Sequence, residues 1–207
     1  MKMMQESLGS QDRRIMRSKA ALRTALIELI NERGLENFSV NDLCQKAGLN
    51  RGTFYNHFKD KDDLVRYFEQ EILLGMERLQ AELKELSFTT VWAYKVSKKP
   101  LPVLVHMFDY LACESEFLQA ILGPQGDALF AHTLCDAVCS ELVMGILHDQ
   151  YREHPTTFVN YYVTYYASAY MGVIVQWIQS GMNESSEEMA VIALRLLFIK
   201  PGESIEL

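Results

Sequence analysis

The chain has 207 residues, of which 49% are hydrophobic and 23% charged, with only five prolines and eleven glycines. That balance excludes a disordered, collagen-like or coiled-coil polymer, and so few turn-forming residues argue against an all-β protein. The net charge of −7 taken as one number argues against nucleic acid as a partner, but residues 1–61 carry 11 Lys+Arg against 7 Asp+Glu (+4) and the remaining 146 carry 9 against 20 (−11).

A basic N-terminal quarter is therefore joined to an acidic body. The first dozen residues lack an apolar run between a basic start and a cleavage site, so they predict a flexible arm and not a secretory leader. Four cysteines (Cys44, Cys113, Cys135 and Cys139) are too few and too unevenly spaced for an extracellular disulfide framework, which points to the cytoplasm.

In chain order, Ser18 to Arg33 places Ala21, Leu22, Ala25, Leu26, Leu29 and Ile30 on one helical stripe, and Gly34 ends it. Ser39-Val40-Asn41-Asp42 starts a second, short helix with a capping-box pattern, and Ala47-Gly48 stops it. The turn Gly48-Leu49-Asn50 leads into a third helix over Arg51 to Phe58. Asp60 caps a long fourth helix from Lys61 to about Leu86. Ser97 to Pro102 is a predicted loop. Helices follow over Val103 to Ser115, Glu116 to Leu122, Gly126 to His148, Pro155 to Ser180 and Ser185 to Phe198. This is an all-α chain of about nine helices. Phe158 to Ile178 has no formal charge and could span a bilayer by length, but its polar residues and five clustered tyrosines predict a helix buried on most sides, with no membrane partner.

Two short helices joined by Gly48-Leu49-Asn50 have helix-turn-helix spacing. Leu43, Ala47, Leu49 and Phe54 can fill a small core, while Arg51, Gly52, Thr53, Tyr55, Asn56 and His57 remain to face outward. All of those are small or able to hydrogen-bond, as a recognition helix requires at base edges and phosphates. For His57 and Tyr55 the alternative is packing under the fourth helix.

The wording of this stretch, SVNDLCQKAGLNRGTFYNHFKDKDDLV, resembles the signature of the TetR family of bacterial transcriptional regulators. Ala47, Gly48, Leu49, Gly52, Thr53, Phe54, Tyr55, His57, Phe58, Lys61, Asp62 and Leu64 carry the resemblance. Phe158, Tyr165-Tyr166, Gly172 and Gln176-Trp177-Ile178 are similar to the C-terminal domain of regulators of this family from Firmicutes. The resemblance implies a helix-turn-helix domain over 13–60 behind an arm of residues 1–12, and an effector-binding and dimerisation domain over 61–207. It implies base-edge readers at Arg51, Gly52, Tyr55 and Asn56, of which Arg51 suits guanine and Asn56 adenine. It implies phosphate contacts at Thr53, His57 and Lys61, and backbone or base contacts at Ser39 and Asn41. Arg13, Arg14 and Arg17 are arm candidates for the minor groove or a solvated face.

Aromatic residues concentrate in the C-terminal body. Met107, Phe108, Phe117, Phe130, Met144, Tyr162, Tyr166 and Tyr170 are candidates for the wall of an effector pocket, with His106, His132, Asn160 or a tyrosine hydroxyl as its polar groups; ordinary core packing is the alternative. The expected partners are double-stranded DNA with a palindromic operator, a second copy of the chain, and a small apolar or aromatic effector. Two-fold dimers set recognition helices about 34–36 Å apart. The resemblance implies a four-helix bundle of the last two helices, where Ala167, Ser168, Ala169 and Gly172 permit close approach and Trp177 and Ile178 supply buried area. His132, Cys135 and Cys139 share one helical face, but spread over more than about 10 Å of axis they cannot hold one metal ion, and a Cys135–Cys139 disulfide is awkward in an intact α-helix. No cofactor and no catalytic constellation is expected. Two rivals remain: a regulator controlled by a protein partner, and a helical carrier of apolar ligands with a vestigial DNA-binding head.

Overall fold

The computed structural model describes residues 2–140, 143, 144, 147, 154 and 156–198. Among them are ten α-helices, a 3-10 turn (Leu35–Asn37) and a π-helical turn (Cys135–Ser140), and no strand. The helices are α1 (Lys2–Arg33), α2 (Val40–Ala47), α3 (Arg51–Tyr55), α4 (Lys61–Lys84), α5 (Phe88–Ser97), α6 (Pro102–Cys113), α7 (Ser115–Ile121), α8 (Ala128–Leu134), α9 (Thr157–Gln179) and α10 (Ser186–Leu196). The chain forms two compact units, Met1–Glu71 with Glu116–Ala128, and Ile72–Ser115 with Leu129–Leu207.

In the first unit, α1 extends back through the stretch predicted as an arm and begins at Lys2. Its apolar stripe is buried as expected at Leu22, Ala25, Leu26, Leu29 and Ile30, and α2 packs on it. Leu43 and Phe54 are fully buried, whereas Ala47 and Leu49 are half-buried. Gly34 ends α1 at φ 82°, a left-handed conformation that a side chain would strain. Beyond it, the Leu35 N–H donates to the Gln125 carbonyl at 2.8 Å, tying the loop after α7 to the 3-10 turn. Phe68 and Phe117 meet at 6.1 Å between ring centroids, so Phe117 lies in this unit's core.

In the second unit, α10 packs on α6 and α5, and the π-helical turn packs on α9. The Tyr170 hydroxyl donates to the Ala193 carbonyl at 2.5 Å, and Trp177 Nε1 donates to the Glu184 carbonyl at 3.0 Å, which join α9 to α10 and its approach. Phe108 meets the Trp177 ring edge-on at 5.2 Å.

The sequence leaves one helix unread, and two expectations are corrected. The stretch between Leu86 and Ser97 is helical: Ser87 caps α5 by accepting from the Thr90 N–H at 3.2 Å. Its apolar residues Phe88, Trp92 and Val96 recur every four residues on a face that stays exposed, and Val91 is its buried residue. The helix predicted over 126–148 changes winding at Cys135, and most of its residues beyond Ser140 lie outside the described residues. Helix α9 is not buried on most sides, because Phe158, Tyr161 and Tyr165 are 70–75% exposed along one face. No described helix is long and apolar enough to cross a membrane.

Candidate nucleic-acid interface

Local chemistry at both ends of α2 builds the turn that presents α3. At the start, Ser39 and Asp42 form a capping box: the Ser39 N–H donates to Asp42 Oδ2 at 2.8 Å, and the Asp42 N–H donates back to Ser39 Oγ at 3.3 Å. The Ser39 hydroxyl also donates to that carboxylate. This bond, then the Ser39 N–H and the nearby Arg33, hold the Asp42 carboxyl below its usual range. At the other end, Gly48 adopts φ 66°, and the Leu49 and Gly48 N–H groups return to the Cys44 and Gln45 carbonyls, which closes the helix sharply.

Asn50 then caps α3 through its side-chain oxygen, which accepts from the Gly52 N–H at 2.9 Å. The buried Phe54 anchors the short helix from beneath, meeting Phe58 at 5.8 Å. With that anchor in place, Arg51, Gly52, Tyr55 and Asn56 are exposed, and Thr53 and His57 are half-buried. Helix α3 ends at Tyr55, shorter than predicted, and His57 lies in the following turn against the edge of Phe58 at 6.2 Å. Tyr55 is 50% exposed; it touches Phe54 edge-on at 5.4 Å and presents the rest of its ring outward.

Arg51 and Tyr55 form a unit one helical turn apart. Arg51 Nη2 donates to the Tyr55 hydroxyl at 3.3 Å, and the guanidinium lies 5.8 Å from the ring centroid. Hydrogen bonding to Tyr55 raises the arginine's pKa further. Gly52 beside them is open: a Cβ built there meets only Asn50 Oδ1, at 3.6 Å.

Other cations of the basic N-terminal quarter are already engaged. Lys46 pairs with Glu28 at 3.1 Å and Glu32 at 2.5 Å, which raises its own pKa and lowers that of Glu32. Arg33 pairs with Asp42 at 3.2 Å. Lys61 donates to the Leu35 carbonyl at 2.7 Å and sits 5.0 Å over the Phe38 ring, so one of its three N–H groups is spent inside the protein. The structure therefore brings Ser39, Asn41, Arg51, Gly52, Thr53, Tyr55, Asn56, His57 and Lys61 into one unit and gives Ser39 and Lys61 structural partners as well. Asn50 is the residue missed at this site; its signal is the Asn-x-Gly start of a helix.

The candidate pocket residues are divided. Phe117 lies in the first unit, and Met107, Phe108, Phe130, His132, Met144, Tyr162, Tyr166 and Tyr170 lie in the second. Met107, Phe108, Phe130 and Tyr170 are buried, while Met144, Tyr162 and Tyr166 are half-buried. The Tyr162 and Tyr166 rings meet at 4.5 Å, tilted by 40°, and burial pushes the Tyr162 and Tyr170 hydroxyls up. His132 is exposed 3.8 Å from Asp136, His106 is exposed 3.8 Å from Glu82, and Asn160 is exposed. Among the small residues of α9, Ser168, Ala169 and Gly172 are exposed, whereas Ala167, Trp177 and Ile178 are packed inside the chain's own core.

Comparison with known proteins matches both regions. Residues 18–68 match the family described as bacterial regulatory proteins, tetR family, and residues 98–198 match a transcriptional regulator C-terminal region. HTH-type transcriptional regulators of Staphylococcus aureus strains USA300 and NCTC 8325 are 46% identical over 46 residues. That match spans 22% of this chain and a quarter of the relatives' length. A TetR transcriptional regulator from Streptococcus agalactiae 2603V is 17% identical over 92% of this chain and 98% of its own, with a TM-score of 0.56. FadR from Bacillus subtilis in complex with stearoyl-CoA is 17% identical over 86% of this chain and 96% of its own, with a TM-score of 0.58. The dihydroxyacetone kinase operon activator DhaS is 22% identical over 87% and 93%, with a TM-score of 0.51. These structures share the fold, and the two family matches cover the α2–α3 region and most of the second unit. The chain belongs to the TetR family of bacterial regulatory proteins, which are DNA-binding transcription factors and not enzymes.

Proposed function

We propose that the chain is a cytoplasmic, homodimeric repressor that reads a palindromic operator with α3 and leaves it when a small apolar or aromatic effector binds its C-terminal domain. The observation that carries the reading is the exposed Arg51–Tyr55 pair beside an unobstructed Gly52, presented by a doubly capped turn. An arginine held by a tyrosine is partly pre-organised for guanine O6/N7, and the open glycine lets backbone approach the duplex.

Dimerisation is supported by the exposed face of α9. Phe158, Tyr161, Thr164, Tyr165, Ser168, Ala169 and Gly172 form an uncharged surface that a monomer would leave in water. The apolar character of the effector is supported by Met107, Phe108 and Phe130 in the second unit and by the paired rings of Tyr162 and Tyr166. The like-folded Bacillus subtilis regulator is in complex with stearoyl-CoA, whose acyl chain is apolar. An effector shifts the dimer between DNA-competent and DNA-incompetent states only through its difference in affinity for the two.

The test is fluorescence anisotropy on DNA from upstream of the protein's own coding region, at fixed moderate salt. Arg51→Ala costs each head about 1–3 kcal/mol, or roughly 5- to 150-fold. Unchanged affinity in Arg51→Ala and Tyr55→Ala would remove α3 from DNA recognition. A panel of apolar ligands that releases the complex supports the effector. A protein that releases it while no ligand does replaces the effector with a partner.

A further inference from the structure

The π-helical turn Cys135–Ser140 belongs neither to the α3 surface nor to the exposed face of α9. It holds two thiols, Cys135 and Cys139, which hydrogen-bond to each other. In an α-helix, the Cβ atoms of residues four apart lie about 5–6 Å apart, beyond the roughly 3.5–4.5 Å that a disulfide spans. Bonding from i to i+5 widens the turn and shortens the axial rise, so the π winding draws the two sulfurs together.

The two thiols have unequal surroundings. Cys135 is 8% exposed and Cys139 only 1%. The hydrogen bond with Cys139 holds the Cys135 thiol below its usual range although burial and the adjacent Asp136 carboxylate oppose this. The same hydrogen bond, together with burial, pushes Cys139 up. Cys135, at the edge of the core, is thus the sulfur that a small oxidant reaches first, with the Cys139 thiol behind it. Among the described residues, Asp136 acts on Cys135 and Tyr170 of α9 on Cys139, and the exposed His132 lies 3.8 Å from Asp136.

We propose that Cys135 and Cys139 form a reversible oxidation site whose substrate is a small hydroperoxide. The Cys135 thiolate attacks one peroxide oxygen and breaks the O–O bond, giving a sulfenic acid and releasing hydroxide, or alkoxide from an organic peroxide, which takes up a proton. Cys139 sulfur then attacks the Cys135 sulfur; the S–O bond breaks, water leaves, and the disulfide forms. Two thiols are oxidised, one hydroperoxide is reduced, and a thiol reductant restores the pair. Because the π-helical turn packs on α9, closing the disulfide reshapes the surface on which α9 rests.

The experiment uses the full chain with hydrogen peroxide, followed by alkylation of free thiols, proteolysis on the N-terminal side of aspartate and mass spectrometry without reductant. Cleavage before Asp136 separates the two cysteines unless they are bridged. The expected product is a linked peptide lighter by two hydrogens, about 2 Da, which dithiothreitol converts back to two thiols. The bridge persists in Cys113→Ser, which removes the exposed third thiol of the second unit. In Cys139→Ala, Cys135 accumulates as a sulfenic acid that a 1,3-dione traps. Should that variant fail to fold, the bridge in Cys113→Ser still decides the matter. Recovery of Cys135 and Cys139 as alkylated free thiols, while Cys113 alone is oxidised, would overturn the proposal. So would irreversible oxidation of Cys135 without a bridge.

Discussion

Two glycines four residues apart in the helix-turn-helix should respond to alanine in opposite ways. Gly52 has no positive φ, and its Cβ would meet only Asn50 Oδ1 at 3.6 Å, an ordinary contact. Replacing glycine by alanine in a helix favours the folded state by up to about 1 kcal/mol, so Gly52→Ala melts at or slightly above the parent temperature. The added methyl group stands on the surface proposed to face DNA, beside Arg51. If it disrupts one bidentate base contact per head, affinity falls by about 1–3 kcal/mol per head, or roughly 5- to 150-fold. Gly48 is the converse. No atom lies within 4 Å of its built Cβ, but its φ of 66° costs an L-residue about 1–2 kcal/mol. At about 2–4 °C per kcal/mol for a chain of this size, Gly48→Ala melts roughly 2–8 °C lower. Its intrinsic DNA affinity at a temperature where it remains folded changes little. Thermal melts paired with anisotropy titrations on the two variants test both halves. The reasoning is refuted if Gly52→Ala binds DNA like the parent, or if it loses stability as Gly48→Ala does.

Three further outcomes follow from buried and half-buried groups. Burial, then the Asp127 charge and its hydrogen bond, raise the Glu69 carboxyl to about 7 against an ordinary 4.5. The folded chain therefore holds a proton that the unfolded chain releases. This contribution to stability is fully present below about pH 4.5 and is lost as pH rises to about 7. The unfolding free energy from urea titrations should fall over that window by on the order of 1 kcal/mol, once screening at a half-solvated site is allowed for, and Glu69→Gln should flatten the profile. Tyr170→Phe removes the buried hydrogen bond to the Ala193 carbonyl. That carbonyl keeps a second donor in the Leu197 N–H, so denaturation should show a loss of only about 0.5–1.5 kcal/mol. Gly126→Ala drives a Cβ into the Ile121 carbonyl oxygen, where backbone cannot yield cheaply; a loss of about 3 kcal/mol or more in chemical denaturation is expected.

Periodicity and local chemistry alone determined much of this protein. The apolar stripe at Leu22, Leu26, Leu29 and Ile30, the caps at Ser39, Asp60 and Ser185, and the glycines at 34, 48 and 181 act within a few residues of themselves. Their meaning is therefore written in adjacent sequence, and it was enough to predict an all-α chain with helix-turn-helix spacing and to expose the family resemblance. Helix α5 carries a helical period at Phe88, Trp92 and Val96, but that this stripe stays outside and Val91 turns inward is decided by packing. Charge was legible as a sum but not as a surface: only the tertiary structure sets Lys46 against Glu28 and Glu32, 18 and 14 positions upstream, and Lys61 against a carbonyl 26 positions upstream. The same holds in the C-terminal body, where packing turned Trp177 and Ile178 inward, left Phe158, Tyr161 and Tyr165 outside, and joined Cys135 to Cys139 through a π-helical turn. Such outcomes depend on which faces meet across distant segments, and a helical period of 3.6 residues says which residues share a face but not what that face will touch. The overall charge of −7 shows the division: its split into a basic start and an acidic body is a property of the sequence, while the cations left to meet DNA are chosen by the fold.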